Sequence, residues 1–432
     1  MKNCLKTNTY AITLGAVMLL GWSFTQAAVL EPLLALAKKE QPAVLQTMKD
    51  LVEIESGSAD REGLDRIANL IANRLTQLGA KVEQLEVGPE IYKMFDTPTN
   101  IGKMVRATFT GTGSKKILLI AHMDTVYPRG MLAGQPFKIE GDRAYGLGIA
   151  DDKQGVAVIL HSIALLRAMN FRDYGTLTVL INGDEEVSSP GSRHLITKLG
   201  GEYDAVLSFE GGGSPQEANI RLATSGIGAA TINVRGRASH AGSAPERGVN
   251  ALYEIAHQVL QARDLSNPKV GTHVNWTLAR AGIVRNMIPP GAQAQADIRV
   301  DLVADLDGIE RSLRERIKNK LLPESEVTLD FERRRPPLQA TDASRALGAY
   351  AVSIYGELGR KIVLRDRPSG GGTDAAFAAL STKAPVVEGF GLQGFGAHST
   401  NAEYIMIPSI EPRLYLATRM IMDISTGKAP LQ

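Results

Sequence analysis

The chain has 432 residues, 44% of them hydrophobic, with 48 Lys and Arg against 46 Asp and Glu for a formal net charge of +2. That balance gives no basic field for nucleic acid or an anionic membrane surface, so neither is expected as a partner. A single cysteine, Cys4, excludes an intramolecular disulfide, and the length exceeds one ordinary core, so two domains are expected.

Residues 1–6 carry two lysines and no acid, 10–22 are apolar and uncharged, and Thr25-Gln26-Ala27 offers small residues where a signal peptidase reads. This predicts a signal peptide over 1–27, cleaved after Ala27, and a secreted, periplasmic mature chain. The apolar run is shorter than the ~20 residues that span a bilayer. Cleavage removes Lys2, Lys6 and Cys4, which takes the basic count from 48 to 46, against 46 acids, and leaves no thiol.

Residues 64–78 keep apolar positions at helical spacing. Three short apolar runs, 116–121 (KILLIA), 177–181 (LTVLI) and 205–209 (AVLSF), read as buried strands, with a helix over 156–169 between the first two. This alternation predicts an α/β fold around a mostly parallel sheet covered on both faces. Near Thr224 the texture changes to a strand (231–234), a helix (251–262), strands at 274–281 and 292–300, a helix (306–321) and a strand (327–331). That order is the split, ferredoxin-like α+β arrangement, a small sheet with two helices on one face. After Arg333-Arg334-Arg335-Pro336-Pro337 the first texture returns, through 343–355 and 409–424. The expected organisation is a catalytic domain in two parts, 28–224 and 334–432, interrupted by an inserted lid or dimerisation domain over 225–333.

Ligands of open α/β sheets bind beyond the carboxyl ends of the strands. Here the first apolar run leads into His122-Met123-Asp124, the second into Asp184-Glu185-Glu186 and the third into Glu210, while Asp151-Asp152 opens the helix after Gly146-Leu147-Gly148. Four such endings on one sheet edge form an anionic pocket that is costly without a cation. Carboxylates with imidazole suit zinc or a similar divalent metal. Residues two apart in an extended segment share a side, so Asp124 can reach the His122 ring and fix its tautomer. Glu185 and Glu186, on opposite sides of an extended segment, can divide the work between metal ligand and base. Singly, these residues have plainer readings: an N-cap pair at 151–152, a solvated loop at 184–186, a structural His122. Their order and context together outweigh them.

The succession of His122-Met123-Asp124-Thr125-Val126, Gly146-Leu147-Gly148-Ile149-Ala150-Asp151-Asp152-Lys153, Asp184-Glu185-Glu186 and Ser208-Phe209-Glu210 resembles the dizinc aminoacylase and carboxypeptidase family of metallopeptidases. Ala238-Ser239-His240-Ala241-Gly242, Gly370-Gly371-Gly372-Thr373-Asp374 and Gly396-Ala397-His398-Ser399 extend the likeness over nearly the whole mature chain. Within that family the chain is similar to bacterial glutamate carboxypeptidases that act on folates. The resemblance implies two Zn2+ per subunit, one held by His122 and Glu210, the other by Glu186 and His398, with Asp151 bridging. It implies Glu185 as the general acid/base toward a shared, activated water. His240 matches a histidine that donates to the oxyanion, often across a dimer interface, so a homodimer is implied as well. Arg299 matches the grip on the substrate α-carboxylate, completed by Asn286 and the backbone around Gly372 and Thr373. On their own, His240 and His398 read as turn or loop histidines.

The expected activity is therefore hydrolysis of the amide bond to a C-terminal amino acid, glutamate on the resemblance, of an N-acylated substrate. A glutamate side chain calls for another cation, and Arg221, Arg333, Arg334 and Arg335 are candidates. Three arginines before prolines also read as a solvated linker, and Asn219 stands where glutamate-specific relatives carry a lysine. The alternatives are an aminoacylase or dipeptidase of the same family and a tripeptide aminopeptidase, the latter disfavoured by Arg299. A non-catalytic periplasmic binding protein is disfavoured because all five ligands and Glu185 are present.

Overall fold

The computed structural model describes residues 29–399 and 402–432. The expected signal peptide, 1–27, lies outside the described residues. No helix among the described residues is long and apolar enough to cross a membrane.

The main sheet orders its strands Lys81–Leu85, Met104–Thr110, Thr176–Asn182, Lys116–His122, Ala205–Ser208, Val386–Glu388, Glu217–Arg221 and Val363–Arg365. The four central strands, from Thr176–Asn182 to Val386–Glu388, run parallel; Met104–Thr110 joins them antiparallel, and Lys81–Leu85 pairs antiparallel with it in turn. The parallel centre is apolar on both sides because helices cover both faces. Ile117, Leu119, Ala121, Val179, Ile181 and Leu207 face the core built with helices α1 (Glu31–Val52), α2 (Arg61–Gln77), α3 (Gln154–Ala168) and Ile410–Ser425. Their neighbours Leu118, Ile120, Leu180 and Val206 pack on Arg193–Gly200 and Ala375–Ala378 on the other face. Each such Leu, Ile or Val, fully withdrawn from water, contributes about 1.5–3 kcal/mol. Helix α3 is buried almost all round, as a helix lodged between a sheet and other helices must be.

A second, wholly antiparallel sheet orders His273–Ala281, Gly291–Val300, Gly226–Arg235 and Glu326–Arg335. Burial alternates along Gly226–Arg235. Ala230, Ile232 and Val234 join Ile298, Ile255 and Leu313 in a core of their own, beneath helices Ala251–Gln261 and Val303–Arg316. The opposite face carries Thr231, Asn233, Gln293 and Gln295, and its far end faces the main sheet's carboxyl edge across a cavity. The chain leaves and re-enters the main sheet side by side, where Thr224 pairs with Leu338.

The main difference from the sequence expectation lies at Arg333, Arg334 and Arg335, which end a ten-residue strand and are not a linker. Helix α1 and strands Lys81–Leu85 and Met104–Thr110 were not anticipated. Neither was a small antiparallel sheet of Lys138–Glu140, Arg143–Tyr145, Tyr404–Met406 and Gly394–Phe395. That last sheet pairs Tyr145 with Tyr404 and so brings the remote His398 loop to the turn at 146–153.

Candidate metal centre

Strands Thr176–Asn182, Lys116–His122 and Ala205–Ser208 are neighbours, so their carboxyl ends deliver His122, the 184–186 turn and Glu210 to one place. Helix α3 starts at Gln154, and Asp151 and Asp152 sit in the turn before it with non-helical backbone angles, joined by a cis peptide. The N-cap of α3 is Lys153 and no side chain caps the helix, so the two aspartates are not an N-cap pair. Gly148 has φ +70°, and a Cβ there would lie 2.3 Å from Thr125, so this turn requires glycine.

His122 is buried at the end of its strand. Its Nδ1 lies 3.1 Å from the Asp124 carbonyl oxygen and 3.3 Å from Asp124 Oδ1. Its Nε2 lies 3.0 Å from Asp151 Oδ1 and 3.3 Å from Glu210 Oε1. His398 Nε2 lies 3.2 Å from the other Asp151 oxygen and 3.1 Å from Glu186 Oε2. Asp151 thus gives one oxygen to each imidazole, in the middle of the two clusters.

The 184–186 segment is a turn, in which Ser188 N–H reaches the Glu185 carbonyl at 2.7 Å, and is not extended as expected. The turn still separates the two carboxylates. Glu185 lies with His122 and Glu210, and Glu186 with Asp151 and His398, the ligand atoms of each trio within 4.8 Å of one another. By proximity alone Glu185 could be the third ligand of the first trio. The finer contacts favour Asp151 for that place, since Asp151 is hydrogen-bonded to His122 whereas Glu185 Oε1 is paired with Arg335 at 2.9 Å. Asp124, fully buried, accepts from the N–H groups of Glu185 and Glu186, both at 3.1 Å, and from Ser58 Oγ at 2.7 Å. One carboxylate therefore sets the His122 ring and the backbone of both glutamates.

Burial, followed by the charge of Asp151, raises Glu186 to about 7 and pushes Glu210 up as well. Burial raises Glu185 well above the carboxylate range despite the opposing charge of Arg335. Desolvation works against the charge of Asp151, which is only partly buried, yet the hydrogen bonds from His122 and His398 hold it below its ordinary value. Hydrogen bonds donated to Asp151 and Glu186 push His398 up to about 11. Four carboxylates with two imidazoles are a site short of positive charge. Divalent ions would supply it, and imidazole with carboxylate is a donor set that zinc accepts. The residues present fit such a group.

Comparison with known proteins gives the family. A model of peptidase family M20/M25/M40 matches residues 118–423. Carboxypeptidase G2 of Pseudomonas sp. (strain RS-16) is 45% identical over 392 residues, covering 91% of this chain and 92% of that protein. The chain belongs to peptidase family M20/M25/M40. It is a metallopeptidase-family hydrolase. Solved structures of this fold include aminopeptidase PepT of Bacillus cereus (TM-score 0.72, 22% identity, covering 89% of this chain and 98% of that one). An M20 family metallo-carboxypeptidase of Sulfolobus solfataricus is similar as well (TM-score 0.70, 16% identity, 89% and 99% covered).

In this M20/M25/M40 peptidase the cavity over the clusters measures about 770 Å3. Asp151, Glu185, Glu186, Glu210, His398, Arg299 and the glycines at 370–372 line it. Arg299 reaches it from the small sheet, its guanidinium held by Asp297 at 2.9 and 3.0 Å and by the Gly370 carbonyl at 3.2 Å. Thr373 is buried, its hydroxyl turned to Glu388 at 2.6 Å, which leaves only its backbone for a substrate. His240 and Asn286 adjoin one another, both exposed, and neither lines the cavity of its own chain. Arg221 is engaged by Glu388, and Arg333 by Asp307 and Glu310.

Sequence reasoning missed the role of Arg335. Buried at the end of its strand, it holds Glu185 and Asp374, each at 2.9 Å, and donates to the Glu185 carbonyl at 2.7 Å. It also missed Asp374, in the turn before Ala375–Ala378, and Glu403, just before the short strand Tyr404–Met406, because neither follows an apolar run.

Proposed function

We propose that this chain is a two-zinc carboxypeptidase that hydrolyses the amide bond to a C-terminal amino acid, glutamate above all, of N-acylated substrates such as folates. The carrying observation is Asp151, which places one oxygen at each of two imidazole–carboxylate clusters 29 and 247 residues away in sequence from their histidines. The likeness to Carboxypeptidase G2, and Arg299 in the same cavity, support removal of a residue with a free carboxylate. His122 and Glu210 would hold one ion, Glu186 and His398 the other, and Asp151 both. When bound, the ions supply Lewis acidity and bring a water's pKa toward neutrality. Glu185, raised in proton affinity and with Oε1 anchored by Arg335, takes the proton from the attacking water and returns it to the departing amine. Arg299 and the backbone at 370–372 orient the substrate carboxylate, with Asn286 and His240 serving the site of a second copy in a homodimer.

On this reading the chain divides into a catalytic part, 28–224 and 334–432, and an inserted part, 225–333, and is exported by a peptide ending at Ala27. A second reading, an aminoacylase or dipeptidase, is favoured by Asn219, which offers no charge to a glutamate side chain. The test is metal content together with steady-state hydrolysis of a folate-type substrate and of simple N-acyl amino acids, for the wild type and Glu185→Gln. Two ions retained with turnover reduced about 10²–10⁴-fold is expected. Undiminished turnover would remove Glu185 from the mechanism, and preference for simple N-acyl amino acids would favour the second reading.

A further inference from the structure

His398 is the least secured of the metal-site residues. Its side chain is 55% exposed, it sits in a loop, and its φ of +60° lies in the left-handed region that non-glycine residues avoid. An imidazole in that position needs its backbone held from outside the loop. The hold is Glu403. This carboxylate is buried, five residues beyond His398, and spends both oxygens on four donors. Oε1 accepts the N–H groups of Ala150 at 2.8 Å and Asp151 at 3.1 Å. Oε2 accepts Gly148 N–H at 3.0 Å and lies 2.6 Å from the Tyr127 hydroxyl. The Tyr127 proton is shared with the Ser399 carbonyl at 3.1 Å, next to His398 itself. The Glu403 carbonyl also receives Gly146 N–H at 3.3 Å.

The geometry points to Glu403, with Tyr127, as a positioning residue that ties the His398 loop to the Asp151 turn and so completes the second metal position. This role rests on the two-ion reading above. The carboxylate touches no reacting atom, and it acts through the two ligands it brings together. Only a carboxylate fits, because an amide would set its own N–H groups against backbone N–H donors, leaving at least one donor of the turn unsatisfied. Phenylalanine at 127 would remove the link to Ser399 and leave the turn contacts in place.

The test uses the full mature chain as wild type, Glu403→Gln and Tyr127→Phe, stripped of metal and titrated with Zn2+ against a competing chelator, with bound zinc counted by elemental analysis. The wild type is expected to take up two ions. Glu403→Gln is expected to keep one at wild-type affinity and hold the second about 10–100-fold more weakly, the usual loss when a ligand's supporting contact goes. Tyr127→Phe is expected to shift the same ion in the same direction by less. Added zinc should restore hydrolysis in both. Two ions bound as tightly as in the wild type would overturn the role, and so would equal weakening of both ions, which marks a general packing defect. If Glu403→Gln does not fold, Tyr127→Phe decides by the same criteria. A wild-type chain that takes up no ion pair would overturn the two-ion reading and this role with it. An intact pair in both variants overturns this role alone.

Discussion

Asp151 meets His122 with one oxygen and His398 with the other, so asparagine at this position would replace one of those acceptors by an amide nitrogen. Asp151→Asn is expected to weaken both ions, each by more than the ~10–100-fold typical of a supporting contact, read by chelator competition. Two ions at wild-type affinity would show that Asp151 bridges nothing. Arg335 is the cation of a buried trio with Glu185 and Asp374. Arg335→Met leaves two buried carboxylates without it, and the expected loss is about 3–5 kcal/mol in urea denaturation. An unchanged midpoint would mean that the trio adds nothing to the fold. These two residues differ in how far the sequence disclosed them. His122, Glu186 and Glu210 stood out because apolar strands run straight into them, and Asp151 because it opens a helix after Gly146-Leu147-Gly148. Arg335 was hidden in a run of like residues, where a register shift opposite Ile227 and Gly228, and not simple alternation, sets the buried arginine apart from Arg333. His398 was reachable only through family likeness, since a histidine in a glycine-rich loop has no local pattern.

Among the elements, the central strands Thr176–Asn182, Lys116–His122 and Ala205–Ser208 and helix α3 were legible from their unbroken apolar runs, whereas the central strand Val386–Glu388 was not anticipated. Helix α1 was not, although it packs on α3, because its polar network carries part of the contact. In that network His161 of α3 lies 2.7 Å from Glu40 and 2.8 Å from Thr47, both on α1. The hydrogen bond from His161 holds Glu40 below its ordinary value of 4.5. A carboxylate whose folded pKa is depressed stabilises the fold above its unfolded value and loses that contribution as pH falls through the folded one. The wild type should therefore exceed Glu40→Gln in thermal stability at about pH 5, above the reference carboxylate range. The margin should then close below about pH 4, near the reference value for glutamate. A margin independent of pH would place its origin in packing. The observed inserted strands extend beyond the expected bounds by up to five residues at the N-terminal end, Gly226 against 231, and up to four at the C-terminal end, Arg335 against 331.

At the scale of the whole molecule, the proposed ligands run from His122 to His398, and the ions they would hold tie the first half of the chain to its last sixty residues. Ligands that bind only the folded state stabilise it by mass action. Chelation should lower the melting temperature and zinc should restore it, whereas an unchanged melting curve would mean that the folded chain holds no such ions. The chain departs from the main sheet and comes back to it at adjacent points, Thr224 beside Leu338. The gap between them is short enough for a brief loop to replace everything from 226 to 335. All five proposed ligands would survive such an excision, but Arg299 and Arg335 would be lost. The truncated protein should then behave as a zinc receptacle without turnover, separating metal capture from the handling of substrate within a single polypeptide.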